Sequence, residues 1–150
     1  MTVTSSAPTI RLAVAPALPA QRDAIIALWR AAGLTTAWNN PENDFVFAAG
    51  KANSDILAGA LDGKIVASVM VGHDGHRGWL YYAGVDPDFQ KLGFGAEIIA
   101  AGEAWLRARG VPKVMLMVRD TNTIVEDFYK RLDYETIPRI VMQKWLKPPV

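Results

Sequence analysis

The chain of 150 residues contains no cysteine at all. That excludes disulfides, thiolate metal sites and a cysteine nucleophile. Its two histidines, His73 and His76, are too few for a His-rich metal centre, and no carboxylates accompany them at metal-ligand spacing. It lacks a charge excess: sixteen Lys and Arg against fifteen Asp and Glu leave a formal net charge of +1, and the basic residues are scattered. A nucleic-acid footprint needs clustered basic residues, so none is expected. No apolar run approaches the ~20 residues that span a bilayer, and the polar start Met1–Pro8 has no signal-like apolar core. The expectation is a cytoplasmic protein without metal, membrane or nucleic-acid partners. No repeat is visible.

What remains is globular in composition, 51% hydrophobic and 21% charged, and the length suits one domain. The expected organisation is a flexible tail over residues 1–9 and a single domain over 10–148. Ile10–Val14 reads as a first strand and Ala20–Ala32 as an amphipathic helix ended by Gly33. Asn40-Pro41 opens a second, short helix to about Ala52. Asp55–Leu61 and Lys64–Val71 flank Asp62-Gly63, a strong hairpin signal. The turn Gly72–Gly78 leads into strand Trp79–Val85. A helix then runs to Arg109 and is followed by strand Lys113–Val118, helix Asn122–Leu132 and a final strand within Tyr134–Leu146. Val114, Leu116 and Val118 alternate with Met115 and Met117, so the penultimate strand is apolar on both faces, the pattern of a sheet interior.

The most informative stretch is Val85-Asp-Pro-Asp-Phe-Gln-Lys-Leu-Gly-Phe-Gly95. A strand enters it and a helix leaves it. The first turn of a helix carries unpaired N–H groups at the positive end of the helix dipole. Gly93 and Gly95 have no Cβ, so an anion can approach the backbone, and Lys91 adds a cation. The bland alternative is an ordinary tight turn. A P-loop is excluded, because no Gly-Lys-Ser/Thr follows.

Gln90-x-x-Gly93-x-Gly95 resembles the Q/R-x-x-G-x-G/A motif of the GNAT family of N-acetyltransferases. Asn122-x6-Tyr129, one strand later, resembles that family's second block, with Val125 where Ala is usual and Asp133 where Gly is usual. The resemblance spans roughly residues 10–146. Residues Leu34–Asn39 and Asp74–Trp79 resemble the family's YpeA-type subgroup. The resemblance implies an α/β (α+β) fold with a mixed central sheet flanked by helices, in the order β-α-α-β-β-β-α-β-α-β. It also implies acetyl-coenzyme A as co-substrate and direct acetyl transfer to an amine of a small molecule or peptide. A coenzyme A-binding module without turnover is the alternative, and a homodimer is left open.

Residue by residue, the resemblance implies that Gln90, Lys91, Leu92, Gly93, Phe94 and Gly95 hold the pyrophosphate. Asn122 would touch the cofactor arm, and the N–H of Val85 would steady the oxyanion. Tyr129 would contact the cofactor and protonate the departing thiolate. A phenol with a reference pKa near 10 keeps its proton at neutral pH, as a general acid must. The strand Trp79–Val85 contains no acid to serve as base; Tyr81, Tyr82, Asp86 and Glu126 are the nearby alternatives. Trp38, Asn39, His76 and Tyr82 are acceptor-site candidates, since polar loops on a rigid frame commonly carry specificity. For His76 a solvated hairpin is the competing reading, and Trp29 is expected in the core.

Overall fold

The structure, a computed structural model, describes residues 11–149. The expected tail over residues 1–9 lies outside the described residues. Nine main elements follow in order: β1 (Ala13–Pro16), α1 (Arg22–Ala31), α2 (Pro41–Ala48), β2 (Ser54–Leu61), β3 (Lys64–His73), β4 (Gly78–Val85), α3 (Phe94–Arg107), β5 (Val114–Met115) and α4 (Thr123–Arg131). The strands form one sheet in the order β1-β2-β3-β4-β5. All neighbours are antiparallel except β4 and β5, which are parallel as the intervening helix requires.

Local chemistry explains most boundaries. Asp62 and Gly63 both take positive φ, +49° and +81°, the geometry of a two-residue hairpin whose twist matches its strands. The Asn40 side chain accepts from the Asn43 N–H at 2.9 Å, and Pro41 fills the first helical position of α2. Asn122 caps α4 in the same manner, accepting from the Val125 N–H at 3.2 Å. Asp133 sits at φ +68° directly after α4. Asp tolerates this left-handed position, so the departure from Gly costs the fold little.

Each face of the sheet carries a core. On one, α3 lays Ile98, Ile99, Trp105 and Leu106 against Leu57, Val69, Val71 and Leu80. On the other, α1 and α2 lay Ile25, Leu28, Trp29 and Phe45 against Ile56 and Ala58. Trp29 is fully buried, as its place on the apolar face of α1 leads one to expect.

The last third departs from expectation. The strand expected over Lys113–Val118 pairs only at Val114 and Met115, against Gly78 and Trp79. Beyond that point β4 and β5 separate. The final strand expected within Tyr134–Leu146 does not form: residues 135–145 adopt no regular structure, and every residue from Glu135 to Pro149 is exposed. The segment has strand-like composition but no strand to pair with, and composition alone cannot supply a ladder.

Candidate active site

The separation of β4 from β5 opens the gap on which the site is built. Asp86 donates its N–H to the Val66 carbonyl at 2.8 Å. Hydrogen-bonded and unbonded pairs alternate along an antiparallel ladder, so the adjacent pair Ala67↔Val85 turns the Val85 N–H away from β3. It points to the side where β5 has departed. A backbone donor at a strand end, facing an unfilled gap, suits an oxyanion.

The chain then turns through a short 3-10 segment, Pro87–Phe89, steadied by the Asp86 carboxylate accepting from the Asp88 N–H at 2.9 Å. Lys91 and Gly93 both take positive φ, +63° and +86°. Gly93 is the N-cap of α3 and offers no side chain to the helix. The first ladder bond of α3 runs from the Glu97 N–H to the Gly93 carbonyl. The amides of Phe94, Gly95 and Ala96 precede it and are the orphan donors that an anion would satisfy. These donors and the αL glycine fit a pyrophosphate. Phe94 contributes only its backbone, because its ring is buried in the core, while Leu92 is exposed. The Gln90 amide reaches back to the Val85 carbonyl at 3.5 Å, a long contact.

Gly95 has a second reason to be glycine. A Cβ there would lie 3.1 Å from the Phe128 ring of α4 and 3.9 Å from a Val85 methyl. Loop, strand end and α4 therefore meet at this point. Tyr129, beside Phe128, packs edge-on against Phe128 at 5.1 Å and Tyr134 at 5.4 Å between ring centres. Burial raises its pKa above the usual phenol value. Its hydroxyl has no protein partner among the described residues. Asn122 lies seven positions earlier on the same helix, two turns away. Its side-chain oxygen is engaged as the cap.

On the opposite face of β4 lies the acceptor-site candidate Tyr82, in a backbone conformation that nothing in the sequence signals. Tyr82 takes φ +48°, rare for an aromatic residue, opposite a register irregularity between Ser68 and Met70. The kink breaks the in–out alternation, so Tyr81 and Tyr82 both face one cleft of about 230 Å³ with Asn39, Asp44, Phe47, Ala48 and Met70. The Tyr82 hydroxyl donates to the Asp44 carboxylate at 2.7 Å. Burial, reinforced by that carboxylate, pushes the Tyr82 pKa far up, so this phenol stays protonated. Trp29 stacks on its ring at 4.1 Å between centres and is itself pinned by donating to the buried Ser68 hydroxyl at 2.9 Å.

An adjoining cleft of about 210 Å³ is lined by Trp38, Asn39, Asn40, Asn43, Asp44 and the end of the chain from Trp145. Trp38 is half exposed, and the Arg119 guanidinium lies 5.8 Å above its ring. Trp38, Asn39 and Tyr82 are thus brought together, and Asp44 joins them. Among the earlier candidates for a base, Asp86 is committed to the turn after β4. Glu126 is paired with Lys130 at 2.9 Å and Thr136 at 3.1 Å.

His76 is not brought to this cleft. It sits in the turn before Gly78, at the opposite end of β4 from Val85, roughly 20 Å away at ~3.3 Å per strand residue. The turn is organised by Asp74, which accepts from the N–H groups of His76 at 2.9 Å and Arg77 at 2.7 Å and from the Trp79 indole at 3.4 Å.

A parallel strand pair that separates beside a helix start with unpaired amides, with a buried phenol on the neighbouring helix, suits one class of protein: an acyltransferase using a coenzyme A thioester. Residues 22–134 match the acetyltransferase (GNAT) family, and the chain belongs to that family. It is 44% identical over 127 residues to acetyltransferase ECA0875 of Pectobacterium atrosepticum, covering 83% of this chain and 88% of that one. It is 45% identical over 125 residues to acetyltransferase YE1169 of Yersinia enterocolitica, covering 81% and 86%. Among solved structures it is similar to the aminoglycoside N-acetyltransferase AAC(6')-Iy in complex with coenzyme A. The TM-score is 0.78 at 15% identity, covering 91% of this chain and 95% of that one. An aminoglycoside acetyltransferase from an uncultured soil metagenomic sample, solved with sisomicin, gives 0.73 at 16% identity and coverages of 91% and 96%. These distant likenesses show the fold. The protein is an N-acetyltransferase with acetyl-coenzyme A as co-substrate. Among the described residues no group of three His, Cys, Asp or Glu could hold a metal, and no helix is long and apolar enough to cross a membrane.

Proposed function

We propose that the enzyme transfers acetyl directly to the amine of a small cationic molecule or a peptide terminus or side chain in the cytoplasm, acting as a homodimer. The observation that carries the acceptor class is the Tyr82–Asp44 pair at the floor of the cleft. One carboxylate oxygen is held by the phenol, and the other remains an acceptor for an ammonium. The phenolic oxygen offers a second lone pair to the same nitrogen. Asn39 and the Trp38 face complete a wall suited to a compact polar cation.

The amine must lose its proton before it attacks. Tyr82 cannot take it, because its phenol is already protonated and stays so. Asp44 draws the ammonium in, and water between cleft and bulk carries the proton away. Attack on the thioester carbonyl forms the C–N bond, and the oxygen that becomes negative is steadied by the Val85 N–H. Collapse breaks the C–S bond and Tyr129 hands its proton to sulfur, while the attacking nitrogen gives up its extra proton to water, from which the phenol is reprotonated. The pyrophosphate is bound by the amides that open α3, with Gln90 and Lys91 beside them and Asn122 on the arm. The free Tyr129 hydroxyl supports turnover over a binding-only role. His76 is left outside the acceptor site.

The test is a panel of amines, matched in size and differing in charge, with release of the coenzyme A thiol as readout. Cationic amines should turn over and neutral or anionic amides should not. For the best acceptor, Asp44→Asn should raise KM about tenfold or more, the scale of a hydrogen bond to a charged group, with coenzyme A affinity unchanged. Equal KM values in the two proteins would remove Asp44 from the acceptor site.

A further inference from the structure

The kink at Tyr82 has two effects on β4. It brings the Tyr82 hydroxyl to Asp44, and it leaves Tyr81, the residue before, on the same cleft. Successive side chains of a regular strand go to opposite faces, so an unkinked β4 would offer the cleft one tyrosine rather than two. A non-glycine residue held at positive φ is strained, and such strain collects at ligand sites. Here it adds an apolar end to the cleft. Tyr81 stands directly across the ladder from Met70, and its ring stacks with Trp79 at 6.3 Å between centres. Phe47 and Ala48 lie one turn of α2 beyond Asp44. Phe47 is 86% exposed and Tyr81 42%, so neither ring is consumed by the core.

The charge of the site is as restricted as its size. Asp44 is the one carboxylate lining either cleft among the described residues, and the adjoining cleft contributes Lys147. One carboxylate balances one ammonium. A second ammonium on the same molecule would lose water without gaining a counter-charge, and would meet a lysine. The volume of about 230 Å³ falls below the ~300–1,000 Å³ that enclose drug-sized ligands, which leaves no room for a many-ringed aminosugar.

We propose that the acceptor is a small monoamine carrying one apolar body, by chemical class an arylalkylamine. The proposal rests on the reading of Asp44 as the group that receives the ammonium, and it adds what stands behind the nitrogen. The nitrogen meets Asp44 and Tyr82, and the ring lies against Phe47, Tyr81 and Met70. Aromatic faces and edges give such a ring defined contacts, and methionine adapts to its outline. Acetyl passes from the coenzyme A sulfur to the nitrogen. The amine loses one proton to water beyond that of its ammonium form, the sulfur gains one, and the products are the N-acetyl amide and the free thiol.

The experiment measures kcat/KM for phenethylamine, propylamine and putrescine with acetyl-coenzyme A, in the native chain and in Phe47→Ala, Tyr81→Ala and Asp44→Asn. Phenethylamine should lead propylamine by about tenfold or more, the scale of discrimination by an apolar pocket, and putrescine should be the poorest. Phe47 is exposed, so Phe47→Ala should leave the circular dichroism spectrum and coenzyme A affinity unchanged. It should raise the phenethylamine KM about tenfold and leave that for propylamine near its native value. Tyr81→Ala should narrow the same ratio. Each ratio compares the same two amines across proteins, so their own basicities cancel. Asp44→Asn should slow both monoamines; if it slows neither, the reading of Asp44 fails and the proposal fails with it. If Asp44→Asn slows both while Phe47→Ala and Tyr81→Ala keep the native ratio, the arylalkylamine assignment alone is overturned. Putrescine leading the series, no turnover of phenethylamine, or a tripeptide opening with phenylalanine that outperforms it would overturn the assignment equally, with the cationic acceptor left standing.

Discussion

The two sides of the active-site cleft are made of different material. The proposed cofactor side is built from backbone: the Val85 N–H, the αL turn at Lys91 and Gly93, and the orphan amides that open α3. The proposed acceptor side is built from side chains drawn from distant parts of the chain: Asp44 on α2, Tyr82 on β4 and Trp38 in a loop. Backbone donors accept any pyrophosphate and cannot be mutated away, which suits a co-substrate shared across a family. Side chains can be exchanged singly, which suits an acceptor that differs between members.

The sharpest way to break this comparison lies where the two sides meet, at Tyr129. If its phenol is the acid, Tyr129→Phe should lower kcat about 10²-fold, while coenzyme A binding changes much less because the ring and its contacts with Phe128 and Tyr134 remain. The pH dependence adds a check. Activity should climb with pH as more of the acceptor loses its proton. Burial raises the Tyr129 pKa above the usual ~10, so the wild-type enzyme should show no falling limb below about pH 10. A limb near pH 8, or a Phe variant at wild-type rate when chemistry is limiting, would leave Tyr129 as packing.

Next come the two glycines, which differ in why they must be glycine. Gly93 has open space where a Cβ would go but sits at φ +86°, where a side chain costs ~1–2 kcal/mol. Gly93→Ala should therefore weaken coenzyme A binding about tenfold as the turn relaxes. Gly95 has ordinary φ but would press a Cβ against Phe128, so Gly95→Ala should also lower the melting temperature and shift α4. Calorimetry with coenzyme A and thermal melts on both variants separate the two. Equal melting losses, or unchanged binding in both, would contradict this division.

That contrast explains what was legible in advance. Glycine spacing after a strand signals a phosphate turn because the requirement is local and few residues meet it. Tyr129 came from the resemblance of Asn122-x6-Tyr129 to the family's second block, and α4 sets the two residues about two turns apart. Asp44 was not legible. It reads as an acidic residue in the first turn of a helix, where the dipole alone accounts for it. Tyr82 stands among the acceptor-site candidates from sequence, but nothing in the sequence signals the kink that turns its phenol toward Asp44. The final strand failed for a related reason: its composition is that of a strand, but pairing depends on a neighbour that the described chain does not supply.

The kink at Tyr82 depends on a buried contact that can be cut without touching the cleft. Ser68 is fully buried and accepts from the Trp29 indole, on which the Tyr82 ring rests. Ser68→Ala leaves a buried N–H unpaired, a loss of about 1–3 kcal/mol in stability, and frees the ring stack. The acceptor KM should rise modestly, while coenzyme A affinity, set by the loop on the other side, should hold. A variant with lower stability and an unchanged KM would show that Tyr82 is held by its own backbone rather than by Trp29.

The smallest effect is expected at the far end of β4. Asp74 gathers the His76–Trp79 turn, and the backbone N–H groups of Arg77 and His76 hold its pKa below the ordinary aspartate value. A folded-state pKa that is depressed contributes stability above the ordinary value, near 3.9, and loses it as pH falls through the lower folded value. Asp74→Ala should thus lower the melting temperature slightly at neutral pH and make no difference at the most acid pH where the fold survives. Because the turn stands apart from Asp44 and Tyr82, neither Asp74→Ala nor His76→Ala should move the acceptor KM, whereas Trp38→Ala should raise it. A KM for His76→Ala raised as far as that for Trp38→Ala would return the turn to the acceptor site, and would mean that the cleft extends along the whole of β4.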